Sequence, residues 1–369
     1  MRFSPSFYRW LAGVALLAAA FSYAQTTTDS GGANAGDGNS NPANANTDPG
    51  NSGGVFGPPP NGPRGGFGGG GGRRGGRRGG FGGGFGGGGF GGGGNNGPYV
   101  RLEGGGVVNE DTVKTARETE GHSVDLPTWK NTPAFSQDTF TFARILFHNQ
   151  PGARRLGWWV DYPDADINFS FRLQQFTSIK VDPNCRVIRL TDPDLDRYPF
   201  IYMEHVEGVQ LTLQETRALH AYLLTGGALM VNDTWGDAAA EHFMEQMKLV
   251  LPERQPVELT MDHPIFHCIF NLTGPMNKLQ VPTMQFLNYD YDPNDPESKP
   301  TRPRDYGWED VHIRAWLDDK QRLMVLFINN SDVSDGWERE GENESYFHLF
   351  SEKIAYPLGI NIIYYMMTH

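Results

Sequence analysis

The chain has 369 residues, a formal net charge of −12 and two cysteines. Seven Arg against three Asp give residues 1–98 a charge of +4, so −16 falls on residues 99–369. That acidic balance argues against nucleic acid as the main ligand of the folded part, because neutralising phosphates needs Lys and Arg on a shared face. Cations, sugars and basic partners stay open.

Residues 1–24 read as a signal peptide. Arg2 and Arg9 give a positive start, Trp10 to Phe21 is apolar, and Ser22-Tyr23-Ala24 suits cleavage before Gln25. The apolar stretch is short for a membrane span, which weighs against an uncleaved anchor. No Cys follows it, so lipid anchoring is not expected, and no later segment approaches a span free of charge. The expectation is an exported chain, periplasmic or extracellular, with no transmembrane span after cleavage.

Residues 25–98 are rich in Gly and Asn, then in Gly, Arg and Phe. Such a composition buries too little apolar area to offset about 1–2 kcal/mol of backbone entropy per residue, so disorder is expected. Arg73-Arg74 and Arg77-Arg78 stand among glycines, with Phe67, Phe81, Phe85 and Phe90 spaced between. A flexible tether is the first reading, and weak adhesion to an anionic envelope surface the second. Residues 99–137 read as an irregular lead-in broken by Pro127 and Pro133, with a short helix near Thr112–Glu118.

Residues 138–369 carry the periodic signal of one α/β domain. Phe140–Phe147 reads as the first strand. Asp166 to Thr177 fits a helix capped by Asp166, yet Ile167, Phe169, Phe171 and Leu173 also alternate as in a strand. Val187–Leu190 and Pro199–Met203 are short strands. A capping box from Thr212 to Glu215 opens a helix that Gly226 ends. Ala228–Val231 is a continuous apolar run suited to a central parallel strand. From about Asp237, Ala240, Phe243, Met244, Met247 and Leu251 recur at helical spacing. His312–Leu317 and Arg322–Ile328 read as an antiparallel hairpin turning at Asp318-Asp319. Ser345–Ala355 and Gly359–Met367 read as closing helices interrupted at Pro357. Strand and helix alternating at this rhythm imply a mostly parallel sheet with helices on both faces.

In such a sheet, ligands bind beyond the carboxyl ends of the strands. Three polar loops follow buried strands: Glu204, His205 and Glu207; Asn232-Asp233-Thr234-Trp235; and Asn329-Asn330-Ser331-Asp332. Any one of them alone is ordinary turn chemistry, but three on one rim point to a pocket. His263, within Asp262-His263-Pro264, reads equally as a general base or metal ligand and as a residue packed under a turn. Asp233 and His263 are the catalytic candidates. Trp158, Trp159, Tyr162, Trp235, Tyr306, Trp308 and Trp337 would suit sugar stacking, though a large core needs aromatics without any ligand. No metal motif has strong spacing, HExxH is absent, and no cofactor is expected. The one GxSxG match, Gly50 to Gly54, lies in the Gly-rich arm without the strand and helix a nucleophile elbow needs. Cys185 and Cys268 read as buried thiols or, with the right geometry, as a disulfide.

Several stretches together carry a resemblance. Trp159-x-Asp161-x-Pro163-x-Ala165-Asp166, Tyr198 to Met203, Gly226-Gly227-Ala228-Leu229, Asp262-His263-Pro264 and Gly359 to Tyr364 resemble the bacterial domain-of-unknown-function family 4159. The resemblance spans about Phe140 to His369. It implies a flavodoxin-like three-layer sandwich similar to class I glutamine amidotransferase domains. Those enzymes hold a Cys on the turn after the strand matching Ala228–Val231, where this chain reads Asn232-Asp233-Thr234. Without a thiolate there, acyl transfer through a thioester is not expected. The leading expectation is a non-catalytic binding or assembly module with an unknown ligand in the strand-end crevice, a carbohydrate or an envelope protein. The alternatives are a hydrolase of envelope glycans or small carbohydrates, and a domain that merely carries a functional Gly/Arg/Phe-rich arm.

Overall fold

The computed structural model describes residues 98–122, 125–132, 138–151, 156–302, 307–308 and 310–369. The expected leader, the Gly-rich segment up to residue 97, Pro133 and Tyr306 lie outside the described residues.

The lead-in is more ordered than its composition suggested. Strands β1 (Tyr99–Arg101) and β2 (Val107–Asn109) form an antiparallel pair, followed by a 3-10 turn at Ala116–Glu118. Leu102, Val108, Val113 and Ala116 are buried in the main core. Backbone bonds tie the segment to the domain, from Ala116 N–H to the Asn184 carbonyl (3.0 Å) and from Val187 N–H to the Lys114 carbonyl (2.9 Å). Its strands are three residues long, too short to show a period in sequence.

The main sheet has seven strands: β3 (Ala143–Ile145), β4 (Arg186–Ile188), β5 (Phe200–Glu204), β6 (Ala228–Thr234), β7 (Val257–Glu258), β8 (His312–Leu317) and β9 (Leu323–Asn329). Their order across the sheet is β4-β3-β5-β6-β9-β8-β7. Neighbours from β4 to β9 pair in parallel, while β8 runs antiparallel to both β9 and β7. The late hairpin is therefore present, joined to a mostly parallel sheet. Every residue of β5, β6 and β9 is buried, as the continuous apolar runs required. Each such Leu, Ile, Val or Met contributes about 1.5–3 kcal/mol by leaving water.

These strands outlast their apolar runs. Glu204 pairs with Asn232, and Thr234 with Asn329, so residues expected in loops are buried strand ends. A register shift between Val231 and Thr234 marks where β6 bends.

Helices α1 (Asp164–Phe176), α2 (Leu213–Leu224), α3 (Asp237–Val250), α4 (Asp335–Glu338), α5 (Glu344–Tyr346) and α6 (Tyr356–Thr368) flank the sheet. The capping box of α2 forms, with Glu215 N–H donating to Thr212 Oγ1 at 3.2 Å and Thr212 N–H to Glu215 Oε2 at 2.9 Å. α1 is a helix, but it starts at Asp164 with Pro163 as N-cap, and Asp166 lies inside it. Burial explains the ambiguity: all residues from Asp164 to Ser170 are buried, so neither period stands out. α1 packs on α4 and α6, and α2 packs on α3. Phe169 of α1 meets Trp337 of α4 at 4.3 Å and Phe142 at 5.6 Å between ring centroids. Phe243 of α3 meets Phe327 of β9 at 4.8 Å.

Pro357 does not interrupt the last helix. A π-helical stretch, Phe347–Ala355, runs into α6 and places Pro357 in its first turn. The wider π turn at that junction, in which Tyr356 N–H donates to the Ser351 carbonyl, accommodates a following residue that has no N–H of its own. Gly359 lets α6 approach closely, since a Cβ at that position would lie 2.6 Å from both Phe169 Cε2 and Trp337 Cζ2. Among the described residues no helix is long and apolar enough to cross a membrane.

Candidate functional site

The chain leaves β3 for β4 on one side, and β5 lies on the other side of β3. Reversal of strand order opens a crevice at the carboxyl ends of such neighbours. Side chains from the segments following β3, β5, β6 and β9 meet there. β3 supplies Arg144 and, through the following segment, Asp161. β5 supplies Glu204 and His205, and β6 supplies Asn232 and Asp233. Asp332 follows β9, and α4 supplies Asp335 and Glu338 from its two ends.

Backbone strain concentrates at this end. Six non-glycine residues in the described chain have positive φ, and four of them are here: Asp161 (56°), His205 (47°), Asp233 (52°) and Asn330 (60°). Left-handed backbone costs an L-residue roughly 1–2 kcal/mol. Such strain persists where the surroundings over-determine it, and it clusters at functional sites.

Arg144 is the cation at the floor of this end of the sheet and is fully buried. It donates to Asp166 Oδ1 through Nη2 (2.5 Å) and is bonded to Glu204 Oε1 through Nη1. It also donates to the carbonyls of Trp158 (2.9 Å) and Val160 (3.0 Å), which fixes the segment that ends in Asp161. Tyr202 donates to Glu204 Oε2 at 2.9 Å. Burial pushes the Glu204 carboxyl up to about 7, with Arg144 opposing.

Above this floor lie five buried carboxyl groups. One oxygen each from Asp161, Asp233 and Asp332 lies within 4.8 Å of the others, and the same holds for Asp161, Asp335 and Glu338. Around them stand three basic groups. His205 Nε2 reaches Asp233 Oδ2 at 2.5 Å, and its Nδ1 reaches Glu207 Oε1 at 3.2 Å. Arg339 Nε reaches Asp335 Oδ1 at 2.9 Å, and His122 of the lead-in meets Glu338 Oε1. Trp235 Nε1 donates to Asp233 Oδ1 (2.6 Å), Ser334 Oγ to Asp332 Oδ1 (3.1 Å), Asp335 N–H to the same oxygen (2.8 Å), and Met284 N–H to Asp335 Oδ2 (2.6 Å). Oδ2 of Asp161 is buried with no hydrogen-bond partner, and the residue is 3% exposed.

The electrostatics follow. Burial, then the charges of Glu204, Asp335 and Asp233, pushes Asp161 well above the usual carboxylate range. Burial and the neighbouring acids Asp233, Asp335 and Asp161 do the same to Asp332, and burial, Asp161 and Asp335 do so to Glu338. Burial opposes charge on His205, yet Asp233 and Glu207 raise it well above its ordinary value.

Of the residues expected from sequence, Glu204, His205, Asn232, Asp233 and Asp332 meet at this end. Asn232 Nδ2 donates to Ser334 Oγ at 2.9 Å, and Thr234 is a buried member of β6. Trp235 stacks on Trp308 at 4.8 Å, and both are 8% exposed, so they form no open platform for a sugar. Asn330 ties turns together, donating to the carbonyls of Gly307 and Asp310 and accepting from Gly236 N–H.

Asp262 and His263 are not brought to the cluster by any contact among the described residues. His263 is the N-cap of a 3-10 turn, accepting from Ile265 N–H at 3.2 Å, with its ring edge-on to Tyr365 at 5.3 Å. Asp262 is exposed and bonded to Thr260. Asp233 pairs with His205 instead. Neither thiol sits at the β6 bend: both are free, with Cys185 beside Ser170 Oγ (3.3 Å) and Cys268 beside the Asn361 carbonyl (3.4 Å). Sequence reasoning missed Asp161, Asp335, Glu338 and His122 as members of the cluster. Asp335 and Glu338 lie three and six residues past Asp332, and that acidic spacing was the available signal.

Compared with family models, residues 141–367 match the one described as Domain of unknown function (DUF4159). No curated protein matches the chain.

Proposed function

The chain belongs to the DUF4159 family, and from that premise we propose an exported, non-catalytic binding module of flavodoxin-like, amidotransferase-related fold. It is tethered by its Gly-rich arm and takes its ligand at the acidic end of the sheet. Fold likeness carries no activity with it, so the reading rests on the site. The observation that carries it is the β6 bend. Where acyl-transfer relatives need a thiolate, Asp233 stands with both oxygens engaged, by His205 and by Trp235. A carboxylate so held is a recognition group rather than a free nucleophile. The strand order supports the flavodoxin-like reading, since β4-β3-β5-β6 repeats the second-first-third-fourth arrangement of that fold. Export rests on the leader alone.

The hydrolase alternative as first framed needs Asp233 and His263 within one pocket. Their contacts point to different neighbourhoods, so a hydrolase would have to use Asp233 with His205. The test is direct. The full chain is assayed against esters, amides and glycosides, and its melting temperature is followed with envelope glycans and peptides. The binding reading predicts melting shifts without turnover. Turnover that disappears in Asp233→Asn would sink it.

A further inference from the structure

We infer that Asp161, Asp233 and Asp332 bind a divalent metal cation of the hard, oxygen-preferring kind, such as Ca2+, Mg2+ or Mn2+. The inference deepens the binding reading and rests on its placement of the site.

Acidic clusters are common on protein surfaces and mean little there. This one is buried, and it contains an orphan. Oδ2 of Asp161 has no hydrogen-bond partner, although Asp161 is 3% exposed and contributes an oxygen to both carboxylate triads. A buried carboxylate oxygen left unsatisfied is costly, and native structures rarely keep one without an occupant. An ion coordinated by that oxygen and by its carboxylate neighbours would satisfy it.

The spacing admits a metal ion. Oxygens on one Ca2+ lie about 2.3–2.6 Å from it, so any two of them are at most about 5.2 Å apart. One oxygen each from Asp161, Asp233 and Asp332 falls within 4.8 Å of the others. The donors are all oxygen, with no thiol or imidazole in this triad, which selects hard cations over zinc or copper. The surroundings resemble the outer layer of a metal site, in which ligands are held by second partners. His205 and Trp235 orient Asp233, Ser334 Oγ and Asp335 N–H orient Asp332, and Arg144 fixes the backbone leading to Asp161. The strained backbone at Asp161, in the turn before α1, and at Asp233, on β6, aims two side chains from different elements at one point. The second triad is less open to an ion, because the Arg339 guanidinium pairs with both Asp335 and Glu338, whereas in the first triad Asp233 alone has a cationic partner among the described residues, His205.

The site is closed, with Asp161, Asp233 and Asp332 each 3% exposed or less. Exchange is therefore slow, and the ion is a structural or recognition element rather than a freely exchanging one.

The experiment uses the full chain stripped with EDTA and then incubated at length with Tb3+. Trp235 touches the ligand Asp233, so indole excitation should sensitise Tb3+ emission that Ca2+ displaces. Bound metal is counted by elemental analysis, and melting temperature is followed with Ca2+, Mg2+ and Mn2+. We expect about one equivalent of metal and a melting temperature that climbs with ion concentration. Asp161→Asn should keep its far-UV circular dichroism and lose at least about tenfold in affinity. Glu258→Gln, on the far edge strand β7, should behave as wild type. Wild-type protein with no sensitised emission and no melting shift at millimolar ion overturns the inference, as does undiminished binding in Asp161→Asn. Melting shifts with a glycan or peptide but none with metal would overturn the cation and leave the binding reading standing. No shift with any of these would overturn both. Metal-dependent turnover would keep the cation and overturn the non-catalytic reading.

Discussion

Replacing Arg144 by Met tests whether the crevice floor is held by charge. Met keeps the packing of the unbranched Arg stem but ends short of the guanidinium, so Asp166 and Glu204 lose their shared partner. Removing one member of a buried ion pair costs about 3–5 kcal/mol, a large part of the roughly 5–15 kcal/mol that stabilises a domain. The pH dependence is more diagnostic. Burial raises the Glu204 pKa from its ordinary 4.5 to about 7. The folded state therefore binds this proton more tightly than the unfolded one. The corresponding stability is fully present below pH 4.5, declines as pH rises to about 7, and then levels off for this group. Arg144 is what holds the Glu204 pKa down against burial. In Arg144→Met the decline should continue past pH 7, so the gap to wild type should widen above pH 7, with about 1.4 kcal/mol per pH unit as the most that Glu204 alone can add. Asp166, raised by burial and also opposed by Arg144, adds in the same direction. Urea unfolding followed by tryptophan fluorescence at pH 7, 8 and 9, in EDTA, measures both quantities. Equal midpoints at pH 8, or a gap that stays constant across that range, would refute the reasoning.

Three further outcomes follow from the packing. Burial pushes the Cys185 thiol far up and the Cys268 thiol up to about 11. Both should therefore resist iodoacetamide at pH 8 in the native protein and react once urea is added, as mass spectrometry would show. Gly359→Ala should destabilise by about 1–3 kcal/mol, because its Cβ would press on Phe169 and Trp337, and an unchanged unfolding midpoint would contradict the close approach of α6. His263→Ala should leave ligand or metal binding at the acidic end unchanged, which a titration would check, because its contacts are a cap and an aromatic edge.

The parts legible in sequence were those with one dominant physical signal. β6 showed an unbroken apolar run, α2 a reciprocal cap and α3 a clean helical stripe. α1 was ambiguous because it is buried around most of its circumference, and the lead-in was obscure because its strands are three residues long. The general rule for parallel sheets located Glu204, His205, Asn232, Asp233 and Asp332. It gave no reason to add Asp161, which lies in a turn well past the end of β3, or Asp335 and Glu338, on a four-residue helix. His263 drew attention for a local reason, its Asp and Pro neighbours, and that local pattern proved to be a cap.

The five acids of the cluster come from segments that lie far apart along the chain, from Asp161 to Glu338, with His122 arriving from still earlier. No fragment short of β9 and α4 holds them all, and each must be drawn together by contacts of long sequence separation, which form late in folding. Whatever fills the cluster therefore cannot be held until these distant segments have joined the fold. Under the export proposed above, that joining would come only after the chain has crossed the membrane.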